Sequence, residues 1–578
     1  MFVRVCSVSD DGEDEVYDVV MAAPHHSFVA EGIVVHNCEA MGAVKLDLLG
    51  LRHLDTLMYA RNLVYQHHNV WLDYRGDGGP ADAKIIEFGY ETHADKDIWA
   101  QIASGHTVGI FQIETPDLTR MSALLKPLNE RDVAALISIV RPGVKDVGLD
   151  AEFIKRRAGQ SEVVYDHPLM EPITSETYGV MIYQEQLIRA VRELASFSPD
   201  EADTLRKAIG KKVMDKVLSF RNQFIDGCLD KMDRKAAERI WASIEASARY
   251  AFNKSHAVGY ATVTTWEIWT KHYYPTEYVL ALMATDVGSI NRYVREARRL
   301  GIKVLPPDIT QSGDKFSIDK TGAIRYGFEA IKGIGANTTK DILKARSQRQ
   351  FESMDDYLAR AGAGASINVV MDLIGLGAFE AFGDREYCIT RLERHRILAD
   401  VAINKFRRLT PSQKDEIWQE KIVRLEAKYK IPRPEYTPRE IYLLERRLVG
   451  TYVTVDPMAE WIDKIRDALQ RKGITSPSQI EEQPEDSQFL VGGQIKKISR
   501  TTVKKKGPNF GRAMGFLTLD WEEQEFEITV FPQTWHDCLG LIKLELPVLC
   551  EVKRDEKGIH LKGIHVFDFT MGIEEENG

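Results

Sequence analysis

The stretch Val34–Leu51 limits what this chain can fold into more than any other, because it joins two chemistries that do not belong in one domain. At its start stand His36, Asn37 and Cys38. An asparagine side chain can attack its own backbone carbonyl, close a succinimide and break the bond to the next residue. A neighbouring imidazole such as His36 can act as general acid in that step. Cys38 is a thiol nucleophile on the far side of the cut, able to accept an acyl group before cleavage. The second chemistry is Asp47, alone within the weakly alternating run Ala43–Leu51. A carboxylate there is costly to bury unless a cation holds it. Two readings stay open on these residues: a metal ligand in two-metal phosphoryl transfer, or an edge-strand acid paired with Lys45.

Upstream, Val16–Val20 and His26–Ala30 read as two short strands separated at Pro24. With them, Val16 to Cys38 resembles the C-terminal splicing blocks of an intein. The resemblance implies Asp18 and His26 as assisting acid–base groups, His36 as the penultimate histidine, Asn37 as the cyclising residue and Cys38 as the first residue retained downstream. An intein also needs an N-terminal Cys or Ser and a Thr-x-x-His block, and residues 1 to 15 hold neither. The resemblance is therefore to the C-terminal half of a split intein. Before Cys38 the only Lys or Arg is Arg4, against Asp10, Asp11, Glu13, Asp14, Glu15, Asp18 and Glu31. The expected partner is a basic N-terminal half, steered in by opposite charge.

At 578 residues the chain should hold several domains. No apolar run reaches membrane-spanning length, and acid rather than an apolar segment follows Met1–Arg4, so no signal peptide is expected. Cys6, Cys38, Cys228, Cys388, Cys538 and Cys550 are scattered without metal-ligand spacing, which fits a reducing cytoplasm. The net charge of −10 excludes a generally basic coat but leaves room for a local basic channel that binds nucleic acid.

Beyond the junction several segments follow in order: Gly109–Glu114, Arg141-Pro142-Gly143, His167-Pro168, Thr177–Gln186, Leu205–Lys212 and Phe252–Ala257. The set resembles the alpha subunit of bacterial DNA polymerase III (DnaE), the replicative C-family polymerase, and the likeness runs from Glu39 nearly to the C-terminus. The resemblance makes Asp47 the third of three palm aspartates, with Leu46 and Leu48 where the family has Phe. No Pro-Asp-x-Asp motif for the other two precedes Asp47 here. It implies a two-metal Mg²⁺ site completed by carboxylates of a separate N-terminal half that also carries the PHP domain and thumb. Arg206, Lys207, Lys211 and Lys212 lie at a helix end broken by Gly210, with Lys207 and Lys211 on one face. On composition alone such a run is solvated surface; the resemblance makes it a nucleotide or primer–template contact. It likewise places Arg141, in a Pro-Gly turn, beside the incoming nucleotide, although Val144 replaces a usual Pro. Lys254 and His256 become candidate phosphate contacts, against a plain helix start capped by Ser255. Trp266, Trp269, Tyr273 and Tyr274 read as core packing.

Toward the C-terminus, Lys303–Ile309 resembles the family's link out of the fingers. Ile331–Gly335, followed by a helical run, signals a helix-hairpin-helix whose Gly333 and Gly335 let backbone approach a phosphate. Leu373–Phe379 reads as a second hairpin or, alternatively, a helix end capped by glycine. No convincing sliding-clamp peptide is found. After the acidic stretch Glu481–Asp486 come alternating segments at 489–498, 513–519, 526–531, 548–552 and 559–566, with Lys504–Lys506 in a loop. They suggest an OB-fold for single-stranded template, or a protein-docking barrel. The chain ends soon after, and the clamp-loader-binding domain that the resemblance would place at the C-terminus is expected to be absent.

The expected fold class is multidomain α+β: an intein fragment over 1–37, a palm piece over 38–60, mainly helical fingers over 61–300, tandem hairpins over 301–385, a helical connector over 386–480 and a barrel over 487–570. The expected function is template-directed DNA synthesis after trans-splicing to the N-terminal DnaE half, with primer–template DNA and dNTPs as ligands, in the cytoplasm. The alternatives are a non-catalytic DNA-binding module and an unspliced intein relic.

Overall fold

The computed structural model describes residues 27–30, 33–36 and 51–566, except 77, 141–147, 211–212, 249, 363–364, 404–425, 432, 455–458, 475–476, 481–482, 504–507, 522–523, 545 and 557. Its backbone divides into two units, Met1–Arg52 and His53–Gly578.

In the first unit β1 (Ser27–Ala30) pairs antiparallel with β2 (Ile33–His36), in a register running from Ser27 opposite His36 to Ala30 opposite Ile33. The strand expected at 26–30 is thus present from Ser27. Its partner at 33–36 was not anticipated, although Ile33, Val34 and Val35 are β-branched and favour a strand. The strand expected over 16–20 lies outside the described residues.

The second unit opens with the helix Arg52–His68 and a parallel pair, β3 (Val70–Asp73) with β4 (Lys84–Glu87), inside a region expected to be mainly helical. Helices then dominate. Leu187, Ala190, Val191 and Leu194 recur at the period that aligns one face of the helix Gln184–Ala195. That face packs with Leu205, Phe224 and Trp241 from the helices Pro199–Gly210, Arg221–Cys228 and Arg234–Ala248. The longest described helix, Lys254–Tyr273, is buried along much of its length. Ala257, Ala261, Thr264 and Thr265 present small side chains, so neighbouring backbone comes close. It packs against the helix Glu130–Ile139. Asn253 caps it, its Oδ1 accepting the His256 N–H at 2.8 Å, while Ser255 donates its hydroxyl to the same oxygen. The cap is therefore Asn253 and not Ser255. Tyr273 is a second correction: Trp269 is buried as expected, but Tyr273 is 44 % exposed and donates to Asp95 Oδ2 at 2.5 Å.

After the helix Ile290–Arg299 comes a small sheet of β5 (Val304–Leu305), β6 (Ser317–Ile318) and β7 (Ile324–Arg325). The helices Ala336–Gln348, Met354–Arg360, Ile367–Gly375 and Arg385–Ile403 follow. The helix Pro438–Val449 starts with a reciprocal cap between Thr437 and Glu440.

The five alternating C-terminal segments fall on β8 (Gln488–Thr502), β9 (Ala513–Trp521), β10 (Gln524–Val530), β11 (Pro547–Asp555) and β12 (Gly558–Val566). They close into a barrel in the order β10-β12-β11-β8-β9, with only the β10–β12 pairing parallel. Alternation fills its interior with Val491, Ile495, Leu517, Leu519, Ile528, Val530, Val548, Val552 and Leu561. The helix Pro532–Cys538 lies between β10 and β11 and presses Trp535 onto Gly515, where an added Cβ would sit 1.8 Å from the indole. Outside the barrel the helix Ala459–Lys472 seats Trp461, Ile465 and Leu469 against Trp521.

Candidate nucleotide and nucleic-acid site

Glu267, halfway along Lys254–Tyr273, is fully buried and fixes the Gly109–Glu114 loop. Its carboxylate accepts the Phe111 N–H at 2.5 Å and meets His53 Nδ1 at 2.8 Å. Burial is the largest influence on this carboxyl and pushes it up; the hydrogen bond and charge of His53 pull the other way without cancelling it. The Phe111 carbonyl accepts from Thr264, and the Gly109 carbonyl from Tyr278. Gly109 has φ +70°, and a Cβ there would come within 2.4 Å of Leu282. Gln112 also stands at positive φ.

A second pair of motifs, separated by about seventy residues in sequence, is clamped together in the fold. Phe252 and Tyr183 form a parallel bridge: the Phe252 N–H donates to Ile182 O and the Gln184 N–H donates to Phe252 O, each at 2.9 Å. Gln186 closes the turn from inside, its Oε1 accepting the N–H groups of Ile182 and Tyr183 while its amide donates to Thr177 Oγ1. Glu185 holds the next strand of the clamp, accepting from Asn253 Nδ2 at 3.1 Å and from the Lys254 N–H at 2.9 Å. The Lys254 ammonium bonds both oxygens of Glu176, at 2.7 and 2.8 Å, and lies 5.7 Å from the Tyr183 ring. His256 is exposed, with its ring 4.1 Å from that of Tyr260 and 5.7 Å from that of Phe252.

Arg206, on the helix Pro199–Gly210, and Gln184, the first residue of the helix Gln184–Ala195, border one narrow crevice between those helices. Arg206 and Lys207 both pair with Asp203, at 2.8 and 2.9 Å, and these two cations hold the Asp203 carboxyl below its ordinary range. Lys254 and His256 thus stand on one clamp, and Arg206 and Lys207 on the helix Pro199–Gly210, which packs against the helix Gln184–Ala195. Lys254, Arg206 and Lys207 each have an acid beside them, and Glu176, Glu185 and Asp203 were not foreseen as their partners. Asp203 could have been, since it stands three and four residues before the cations on one helix. Arg141, Lys211, Lys212, Asp47, Cys38, Asn37, His26 and Asp18 lie outside the described residues; His36 closes β2 opposite Ser27. Among the described residues no group of three or more His, Cys, Asp or Glu is placed to hold a metal ion.

The Ile331–Gly335 hairpin buries Ile331 and Ile334 and exposes Lys332, Gly333 and Gly335. Gly333 stands at φ +89°, and a Cβ at either glycine would meet nothing within 4 Å. The Lys332 N–H donates to Leu448 O at 2.8 Å, which ties the hairpin to the connector helix. The helix Ala336–Gln348 begins directly after Gly335 and exposes Lys340. The Leu373–Phe379 segment differs. There Gly377, at φ +80°, ends the helix Ile367–Gly375, with Gly377 N–H bonded to Ile374 O and Ala378 N–H to Leu373 O. An added Cβ at Gly377 would meet Glu380 at 2.7 Å. This glycine closes a helix rather than opening onto solvent.

On the barrel Phe510 and Phe531 are exposed, and Phe531 lies 5.2 Å from the His560 ring. No described helix is long and apolar enough to cross a membrane.

Residues 61–232 match the model of the bacterial DNA polymerase III alpha subunit finger domain, and residues 301–387 match a helix-hairpin-helix motif. The DNA polymerase III subunit alpha of Aquifex aeolicus is 30% identical over 525 residues, covering 90% of this chain and 41% of the relative. That of Bacillus subtilis is 29% identical over 560 residues, covering 94% and 47%, and that of Thermus aquaticus 30% over 532 residues, covering 90% and 41%. The chain spans less than half the length of these relatives, and over about nine-tenths of its own length it is homologous to the bacterial DNA polymerase III alpha subunit.

Proposed function

We propose that this chain is the fingers-to-barrel part of a replicative DNA polymerase, carrying in front of it the C-terminal half of a split intein. The reading is supported most by homology to polymerase subunits along most of the chain, with Lys254 and His256 on one clamp and Arg206 on a helix packed against Gln184–Ala195. The reaction is nucleotidyl transfer: the primer 3′-hydroxyl attacks the α-phosphate of a dNTP and pyrophosphate leaves. Arg206, Lys207, Lys211, Lys212 and Lys254 hold the triphosphate or the primer–template backbone, with Arg141 and His256 beside them; positive groups on rigid elements suit developing phosphate charge. Phosphate binding at Lys254 requires exchange of the Glu176 carboxylate for the ligand.

Asp47 offers a hard oxygen donor of the kind Mg²⁺ prefers, but one carboxylate does not make a two-metal site. Its companions are proposed to come from an N-terminal half containing PHP and palm segments. When bound, the two ions would neutralise charge on the attacking and leaving oxygens. Joining the halves falls to Asn37 and Cys38, with His36, His26 and Asp18 assisting. The antiparallel β1–β2 pairing brings the strand end at His36 opposite the residue that follows His26.

The first hairpin is proposed to hold duplex without reading sequence, through the exposed backbone at Gly333 and Gly335. The barrel has the strand order and single parallel pairing of an OB-fold, which supports a role in holding single-stranded template. The test is co-expression with an N-terminal fragment that ends in the matching half-intein. A joined product beginning with the partner and continuing from Cys38 is expected. Two unjoined chains would remove the splicing part of the reading, and a joined product that cannot extend a primer would remove the polymerase part.

A further inference from the structure

The helix Ile290–Arg299 touches more separate parts of the second unit by polar contacts than its length suggests. Its apolar face, Ile290, Tyr293, Val294 and Ala297, is buried. At one end Arg292 binds Glu114 twice, Nη1 to Oε2 and Nη2 to the backbone oxygen, each at 2.9 Å. Glu296 takes the Lys271 ammonium at 2.6 Å with both side chains buried, and Lys271 also donates to Val108 O, one residue before Gly109. Toward the barrel, Arg295 pairs with Asp520 on β9. Asp520 is 7 % exposed, and Lys496 is a further cationic neighbour, at 3.8 Å. Arg298 stacks 4.3 Å from the Tyr452 ring and donates to Tyr452 O.

The geometry points to this helix as a strut between the barrel and the Gly109–Glu114 loop, with Arg295 and Arg292 as positioning residues. A buried ion pair holds one geometry, because separating it strands a desolvated charge. Displacement of the barrel as a body therefore moves the Arg295 end, where the Asp520 carboxylate is buried, and the Lys271–Glu296 pair, buried on both sides, carries that movement to the loop, with the partly exposed Arg292–Glu114 pair as a second tie. Nucleic acid held by the barrel then changes the stability of a loop in the fingers. This rests on the single-strand reading of the barrel.

Hydrogen exchange on the full chain, with and without saturating oligothymidylate, tests it at the Gly109 and Phe111 amides. The strut predicts exchange slowed about fivefold or more, the lower end of ordinary coupling between sites. Asp520→Asn and Arg295→Gln should bind the oligonucleotide as tightly as the parent and lose the slowing. The swap Arg295→Asp with Asp520→Arg should recover it. Binding without a response in the parent chain, or a response that persists in both single variants, overturns the strut while leaving the barrel reading intact. Failure of the parent chain to bind oligothymidylate overturns the barrel reading and the strut with it.

Discussion

Lys254, assigned a part in binding, should matter little for folding. Its pair with Glu176 is partly exposed on both sides, and such pairs contribute roughly 0–1 kcal/mol. Lys254→Met should therefore leave thermal unfolding almost unchanged. In the joined enzyme it should weaken dNTP or primer–template binding by about tenfold or more, since a charged hydrogen bond to phosphate is worth about 1.5–3 kcal/mol. Titration of the parent and of Lys254→Met with dNTP checks this. Glu296 is the opposite case. Burial raises its carboxyl, but Arg299 and Lys271 outweigh burial and hold it below its ordinary value of 4.5. A depressed carboxyl contributes stability above that value, and the contribution is lost as pH falls through the lowered one. Glu296→Gln should destabilise the fingers by about 3–5 kcal/mol near neutral pH and flatten acid unfolding below about pH 4.5. An acid titration followed by circular dichroism reads both.

At the scale of elements, the two glycine hairpins look alike in sequence and differ in structure. The first reads as a glycine hairpin before a helix, the second as a weaker hairpin or a helix end capped by glycine, and the structure has the capped end. Gly333 faces open space, whereas Gly377 closes a helix end against Glu380; the difference lies in what packs beside each, which local pattern does not record. Gly333→Asn separates folding from binding, because asparagine tolerates positive φ. Thermal stability should fall by only about 1 kcal/mol, the strain of a side chain at φ +89°, while duplex affinity falls several-fold, measured by fluorescence anisotropy. The barrel strands were legible because alternation survives in each one. The Lys254–Tyr273 helix was legible mainly at its start, since Asn253-Lys254-Ser255-His256 marks an entry. Its buried Glu267 and Lys271 were not, because their partners His53 and Glu296 are remote in sequence. The Ile290–Arg299 strut went unread although Ile290, Tyr293, Val294 and Ala297 keep the helical period; its arginines reach residues from 114 to 520. The β3–β4 pair was hidden by its parallel pairing, which no hairpin turn announces.

At the scale of the whole molecule the account needs two events in order, joining and then synthesis. Asn37→Ala should block release of the half-intein, seen as a shift in mass of the co-expressed product. Asp47→Ala should splice normally and fail to extend a primer. Ordinary extension by Asp47→Ala would take that acid out of the metal site. The measurement that bears most directly on the central claim is primer extension by the purified chain and by the product joined at Cys38, side by side with Mg²⁺ and dNTPs. The account predicts extension by the joined product and none by the chain alone; extension by the unjoined chain, or none by the joined product, would contradict it.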